Sequence, residues 1–175
     1  MHDAQRTLVL MRHAKSDWDS ASEIDFDRPL SARGRRDAPR VGGWLVRAGL
    51  VPDLVVSSPA ARARATTLAV LAMLPEPKPQ VLWEPLVYAA SLATLLAVLG
   101  KMPDSAQRVL LVGHNPGLEE LLRYLSGGAL PADVEPAKPM PTAAVACLHM
   151  PAHWQRLSAG TARCVRVMRP RKLAE

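Results

Sequence analysis

Thr7-Leu-Val-Leu-Met11 is an unbroken run of strand formers, and Arg12-His13 follows it directly. A short apolar run with no polar interruption reads as a buried strand rather than a half-exposed one. The same pattern recurs at Leu54-Val-Val-Ser57 and, most clearly, at Arg108-Val-Leu-Leu-Val-Gly113. Gln80 to Trp83 is a further short strand, and Ala143 to Leu148 and Arg163 to Met168 are the last two. Helix signals fill the gaps. Ser31 is an N-cap for a helix over about residues 32–48, ending before Gly49 and weakened by Pro39 and Gly42-Gly43. Pro59 takes the first-turn position of a helix reaching about Leu74. Ser91 to Leu99 and about Leu118 to Leu125 are two more, while residues 12–30 and 127–141 are loops. Strands alternating with helices predict a single-domain, three-layer α/β fold with a mostly parallel central sheet and helices on both faces.

The 175 residues suit one domain spanning 1–175, and 49% hydrophobic content excludes global disorder. No apolar run approaches the ~18 residues of a membrane helix, and Leu8 to Met11 is too short for a signal-peptide core, so the expected location is cytoplasmic, away from a membrane. Cys147 and Cys164 fall in the two C-terminal strands and read as sheet residues, since nothing points to an oxidising compartment. The net charge of +6, supplied mostly by arginine, suits anionic partners. Nucleic acid is not expected among them: aromatic residues are only 4%, which leaves few platforms for stacking bases.

Ligands in sheets of this kind bind beyond the carboxyl ends of the strands. Three segments emerge there: Arg12-His13-Ala14-Lys15-Ser16, Ser57-Ser58-Pro59-Ala60-Ala61-Arg62 and Gly113-His114-Asn115-Pro116-Gly117. Two histidines and two arginines at one sheet edge suit phosphoryl transfer. Arginine binds phosphoryl oxygens in bidentate fashion. An imidazole nitrogen can attack phosphorus and divide hydrolysis into two easier steps, and a second imidazole can donate to the transferring oxygens. No HxxxH pair or evident third ligand favours a metal, and the arginines would repel a cation.

The segments LVLMRHAKSDW (residues 8–18), DFDRPLSARGRRDA (25–38), SSPAARARATT (57–67) and LLVGHNPGLEEL (110–121) resemble, in order and spacing, the histidine phosphatase superfamily, also called phosphoglycerate mutase-like. The likeness is to its small SixA-type phosphohistidine phosphatases and covers about residues 7–126. The resemblance implies that His13 is the nucleophile and that Arg12 and Arg62 bind phosphate. It also implies that His114 is the second pocket histidine, that Asn115 shapes the pocket and that Ser16 lies close to the phosphate. Ala14 stands where the commoner RHG motif has glycine, as is usual in SixA-like relatives. Asp19 stands where many mutases have a phosphate-contacting asparagine, and its carboxylate is expected to point away. Glu84, just after the third strand, is the candidate general acid. Lys15, Asp25 and Arg28 either border the site or order a loop.

The implied activity is a metal-independent and cofactor-free phosphatase acting on a phosphorylated protein or a small phosphorylated substrate. Protein phosphohistidine is the expected substrate class. The alternatives are a small-metabolite phosphomonoesterase of the same superfamily and a non-catalytic phosphate-binding module.

Overall fold

The computed structural model describes residues 5–173. Six strands form one sheet: β1 (Thr7–Arg12), β2 (Leu54–Ser57), β3 (Gln80–Trp83), β4 (Arg108–Gly113), β5 (Val145–His149) and β6 (Arg163–Met168), in the order β3-β2-β4-β1-β5-β6. The β3, β2, β4 and β1 strands run parallel, and β5 runs antiparallel to both β1 and β6. The mostly parallel three-layer fold read from the sequence is therefore observed, with β5 as its one reversed strand.

Alternation along the central strands divides the core in two. Leu8 and Leu10 of β1, with Val109 and Leu111 of β4, face α3 (Leu92–Gly100) and α4 (Gly117–Ser126). Val9, Met11, Leu110 and Val112 face α1 (Ala32–Arg47) and α2 (Ala61–Met73). All eight side chains are fully buried. Strands covered on both faces need apolar residues at every position, which is why these segments read as continuous runs rather than as alternation.

Helix boundaries follow local chemistry. The Ser31 Oγ accepts from the Gly34 amide, which caps α1. Pro39 lies inside α1, and the helix nevertheless runs unbroken to Arg47. Pro59, read as the first turn of α2, instead precedes it: α2 begins at Ala61 with Ala60 as its N-cap. The physical reason is that the Ser58 amide still bonds the Val112 carbonyl of β4, so the chain remains in the sheet ladder through Ser58. Cys147 and Cys164 are free and buried in β5 and β6, and burial pushes their thiols up to about 12 and about 11. No described helix is long and apolar enough to cross a membrane.

Candidate active site

The register of β1 against β4 brings the two histidines together. Arg12 lies opposite Gly113, so the next residues out of the sheet are His13 and His114. Their rings sit 5.1 Å apart between centroids. The β2 strand flanks β4 with Ser57 opposite Val112, which places Ser58 beside His114; the Ser58 Oγ and His114 Nε2 are 2.8 Å apart. From α2, Arg62 reaches back over this edge, and its Nε lies 3.4 Å from His13 Nε2.

The loop after β1 is fixed residue by residue. The His13 amide donates to the Gly113 carbonyl, and the Ala14 amide donates to the Thr66 Oγ1 of α2 at 3.0 Å. The Lys15 carbonyl accepts from both the amide and the hydroxyl of Ser31. The first turn of α1 packs against this loop so closely that a Cβ on Gly34 would overlap the Lys15 carbonyl oxygen. Only glycine permits that approach.

His13 Nδ1 lies 2.8 Å from the Ala14 carbonyl oxygen. A carbonyl can only accept, so Nδ1 carries the proton and donates, which leaves the lone pair of the neutral ring on Nε2. Burial pushes the His13 imidazole down to about 3; His114, Arg62 and Arg12 push the same way, against the Ala14 hydrogen bond. His114 is pushed down to about 4, chiefly by burial and then by Arg62. Both rings are therefore neutral at pH 7. The His114 Nδ1 is buried and has no partner among the described residues.

These groups line a cavity of about 240 Å3 together with Arg12, Lys15, Ser16, Trp18, Arg28, Asn115 and Thr142. No carboxylate lines it. A larger hollow of about 510 Å3 lies along α1 among Arg36, Arg40, Arg47 and Met73, but it holds no histidine or other nucleophile. Among the described residues no three His, Cys, Asp or Glu side chains cluster as metal ligands would.

Six of the seven residues singled out from the sequence meet at this cavity: Arg12, His13, Ser16, Arg62, His114 and Asn115. Arg12 Nη1 and Asn115 Nδ2 both donate to the Met140 carbonyl, at 3.3 and 2.8 Å. Ser16 Oγ accepts from Arg28. Glu84 does not join them: its Oε1 accepts from the Leu86 amide at 3.0 Å and caps a local turn. Asp19 is exposed and away from the cavity, as expected for a carboxylate.

The family model described as histidine phosphatase superfamily (branch 1) matches residues 8–86. An uncharacterised protein of Mycobacterium tuberculosis H37Rv is 36% identical over 165 residues, covering 92% of this chain and 100% of that protein. The chain belongs to the histidine phosphatase superfamily. Within it the chain is of the SixA type: a Nakamurella multipartitia structure provisionally named phosphohistidine phosphatase SixA matches with a TM-score of 0.80 and 31% identity, over 94% of this chain and 96% of that one. An uncharacterised chloroplastic Arabidopsis thaliana protein is 35% identical over 137 residues, 71% of this chain, and this chain spans 61% of its length. These similarities support phosphatase activity.

In this SixA-type chain the structure adds residues that the sequence left open. Asp25 binds two of the three cavity arginines, Arg28 and Arg62, from outside. Its Oδ1 accepts from Arg28 at 2.8 Å, its Oδ2 accepts from Arg62 at 3.0 Å, and its backbone carbonyl takes Arg62 Nη1 at 2.7 Å. The Tyr88 hydroxyl also donates to Oδ2, at 2.7 Å, and the Tyr88 ring stands edge-on to His114. Arg28, then Tyr88 and Arg62, hold the Asp25 carboxyl far below its usual range. Trp18, 71% exposed, stacks on the Arg28 guanidinium at the cavity mouth. Nothing local in the sequence marks Tyr88, which arrives from the turn after β3. Asp25 and Arg28 carried the one usable signal, a carboxylate three residues before an arginine within a matched motif.

Proposed function

We propose that this chain is a phosphatase that transfers a phosphoryl group to His13 Nε2 and then to water, with protein phosphohistidine as its substrate class. The observation that carries the reading is the His13 ring. Its Nδ1 proton is committed to a carbonyl, and its Nε2 lone pair faces a cavity lined by cationic donors. A neutral, oriented imidazole is what in-line attack on phosphorus needs. Arg12 and Arg62 bind the equatorial oxygens, and the unpartnered His114 Nδ1 supplies a donor once it carries the proton, with Ser58 donating to Nε2. Ser16 and Asn115 shape the wall.

The substrate class follows from the leaving group. An alkyl ester must expel an alkoxide, which requires a general acid. The cavity presents no carboxylate, and Glu84 is occupied elsewhere. A phosphohistidine expels imidazole, whose conjugate acid has a pKa of ~6.5, so the group leaves protonated near neutrality with little help. The arginines supply the positive charge that metals supply in other phosphatases, so no metal or cofactor is required.

The test is a comparison of kcat/KM across phosphohistidine proteins, sugar phosphates and aryl phosphates. Phosphohistidine proteins should give the highest value, and Glu84→Gln should change it by less than about threefold. A sugar phosphate that outperforms them, with hydrolysis crippled by Glu84→Gln, would establish the metabolite-phosphatase alternative. Turnover of none of the three by an enzyme that still binds phosphate would establish the binding module.

A further inference from the structure

Beside the catalytic cavity lies a second cleft of about 180 Å3, and Thr142 lines both. Four cations face this second cleft, Arg33, Lys138, Arg169 and Arg171, against one carboxylate, Glu135. Arg33 is shared with Asp37 at 3.4 Å. The nearby acid Asp133 is committed to Lys172 at 2.7 Å. The remaining charge is strongly positive.

Arg169 is the informative residue. It is only 6% exposed, yet its Nη2 is sealed from solvent without an acceptor among the described residues. Four other arginines also hold a buried nitrogen without a partner: Arg6, Arg12, Arg28 and Arg108. Each of those four places another nitrogen on a protein oxygen. Arg169 makes no side-chain hydrogen bond or ion pair to any described residue. A buried, unpaired cation is unfavourable, and a fold retains one where a ligand completes it. The cleft's volume of about 180 Å3 leaves space for a carboxylate or a phosphate group.

We propose that this cleft is an accessory oxyanion subsite, holding a second carboxylate or phosphate group carried by the same substrate whose phosphoryl group enters the cavity at His13. The proposal rests on the phosphatase reading and adds to it a selection for doubly anionic substrates. Arg169 supplies the planar fork, with Lys138 and Arg171 as the surrounding field. A phosphoryl donor with no second anionic group gains nothing from the cleft.

Three aryl phosphates separate the possibilities: phenyl phosphate, a derivative bearing a carboxylate on an arm, and one bearing a non-hydrolysable phosphonate on the same arm, the last two at two arm lengths. The readout is the kcat/KM of each anionic substrate divided by that of phenyl phosphate, in wild type, Arg169→Met and Arg169→Lys. The wild type should favour an anionic arm at one length, and Arg169→Met should cut that selectivity about tenfold through KM, the size expected for one charge-assisted pair. Arg169→Lys should retain part of it, and neither variant should lower Tm, because the side chain replaced has no partner among the described residues. Response to the carboxylate arm alone identifies an acidic side chain or acid as the ligand. Response to the phosphonate alone identifies a second phosphate, and response to both identifies general oxyanion recognition. No arm preference in wild type, an equal loss on all three substrates, or a lowered Tm with selectivity intact would overturn the subsite. A wild type that hydrolyses none of the three yet dephosphorylates a phosphohistidine protein overturns the subsite alone, and one that turns over neither overturns the phosphatase reading as well.

Discussion

Lowering the pH from 7.5 to 5 should destabilise this protein through His13 by a predictable amount. The unfolded ring titrates near 6.5, whereas burial and the neighbouring His114, Arg62 and Arg12 hold the folded ring down to about 3. The folded value lies below the unfolded one, so the unfolded chain takes up the proton first. Stability is complete above pH 6.5 and falls as pH drops below it, until the folded ring also protonates near 3. At pH 5 the unfolded ring is almost fully charged and the folded ring almost fully neutral. The ratio of the two binding polynomials corresponds to a loss of about 2 kcal/mol from His13 alone. His114, pushed down to about 4, loses about as much by the same route. Asp25 contributes nothing in this window, because its partners hold it ionised well below pH 5. The assay is urea unfolding of wild type and His13→Gln at both pH values, in buffers free of phosphate and sulfate. The wild type should lose about 2 kcal/mol more than the variant between the two. Equal losses would mean that His13 is not held neutral, and the argument for a ready nucleophile would fail with it.

Three further outcomes follow from the geometry. Asp25→Asn should lower kcat/KM about five- to tenfold, because Arg62 and Arg28 lose a charged acceptor at a half-exposed site while Arg62 keeps its bond to the backbone carbonyl; steady-state kinetics with an aryl phosphate would detect it. Gly34→Ala should cost about 1–3 kcal/mol and reduce activity, since the new methyl displaces the Lys15 carbonyl and the loop that carries His13. Thermal unfolding measured alongside kcat reports both effects. Treatment with EDTA should leave turnover unchanged, and loss with recovery on one divalent metal would point to a different chemistry.

The layers of this fold were legible because buried parallel strands need unbroken apolar runs, and β1, β2 and β4 all have them. Strand order was not legible. Nothing in Leu110 or Val112 says that β4 inserts between β1 and β2, yet that placement is what sets His114 beside His13. The same blind spot affects Glu84. It does follow a strand, but β3 is the edge strand, two positions from β4 and three from β1. At ~4.8 Å per strand that is about 10–14 Å from the histidines. The site arginines were readable from motif position, whereas the clamp on Arg62 was not, because Asp25 and Tyr88 reach it from different loops, 37 residues before Arg62 and 26 after it. Arg169 was equally silent: an arginine after the last strand is ordinary in sequence, and only its burial without a partner among the described residues makes it notable.

The central claim is that the phosphoryl group passes through His13. Wild-type enzyme mixed with 32P-labelled substrate and quenched in alkali within the first turnovers should carry label that survives base and is lost in acid, as expected of a phosphoramidate. Peptide mapping should locate it on His13, and His13→Ala should carry none. Label that survives acid on a serine, or base-labile label on an aspartate, would contradict the account.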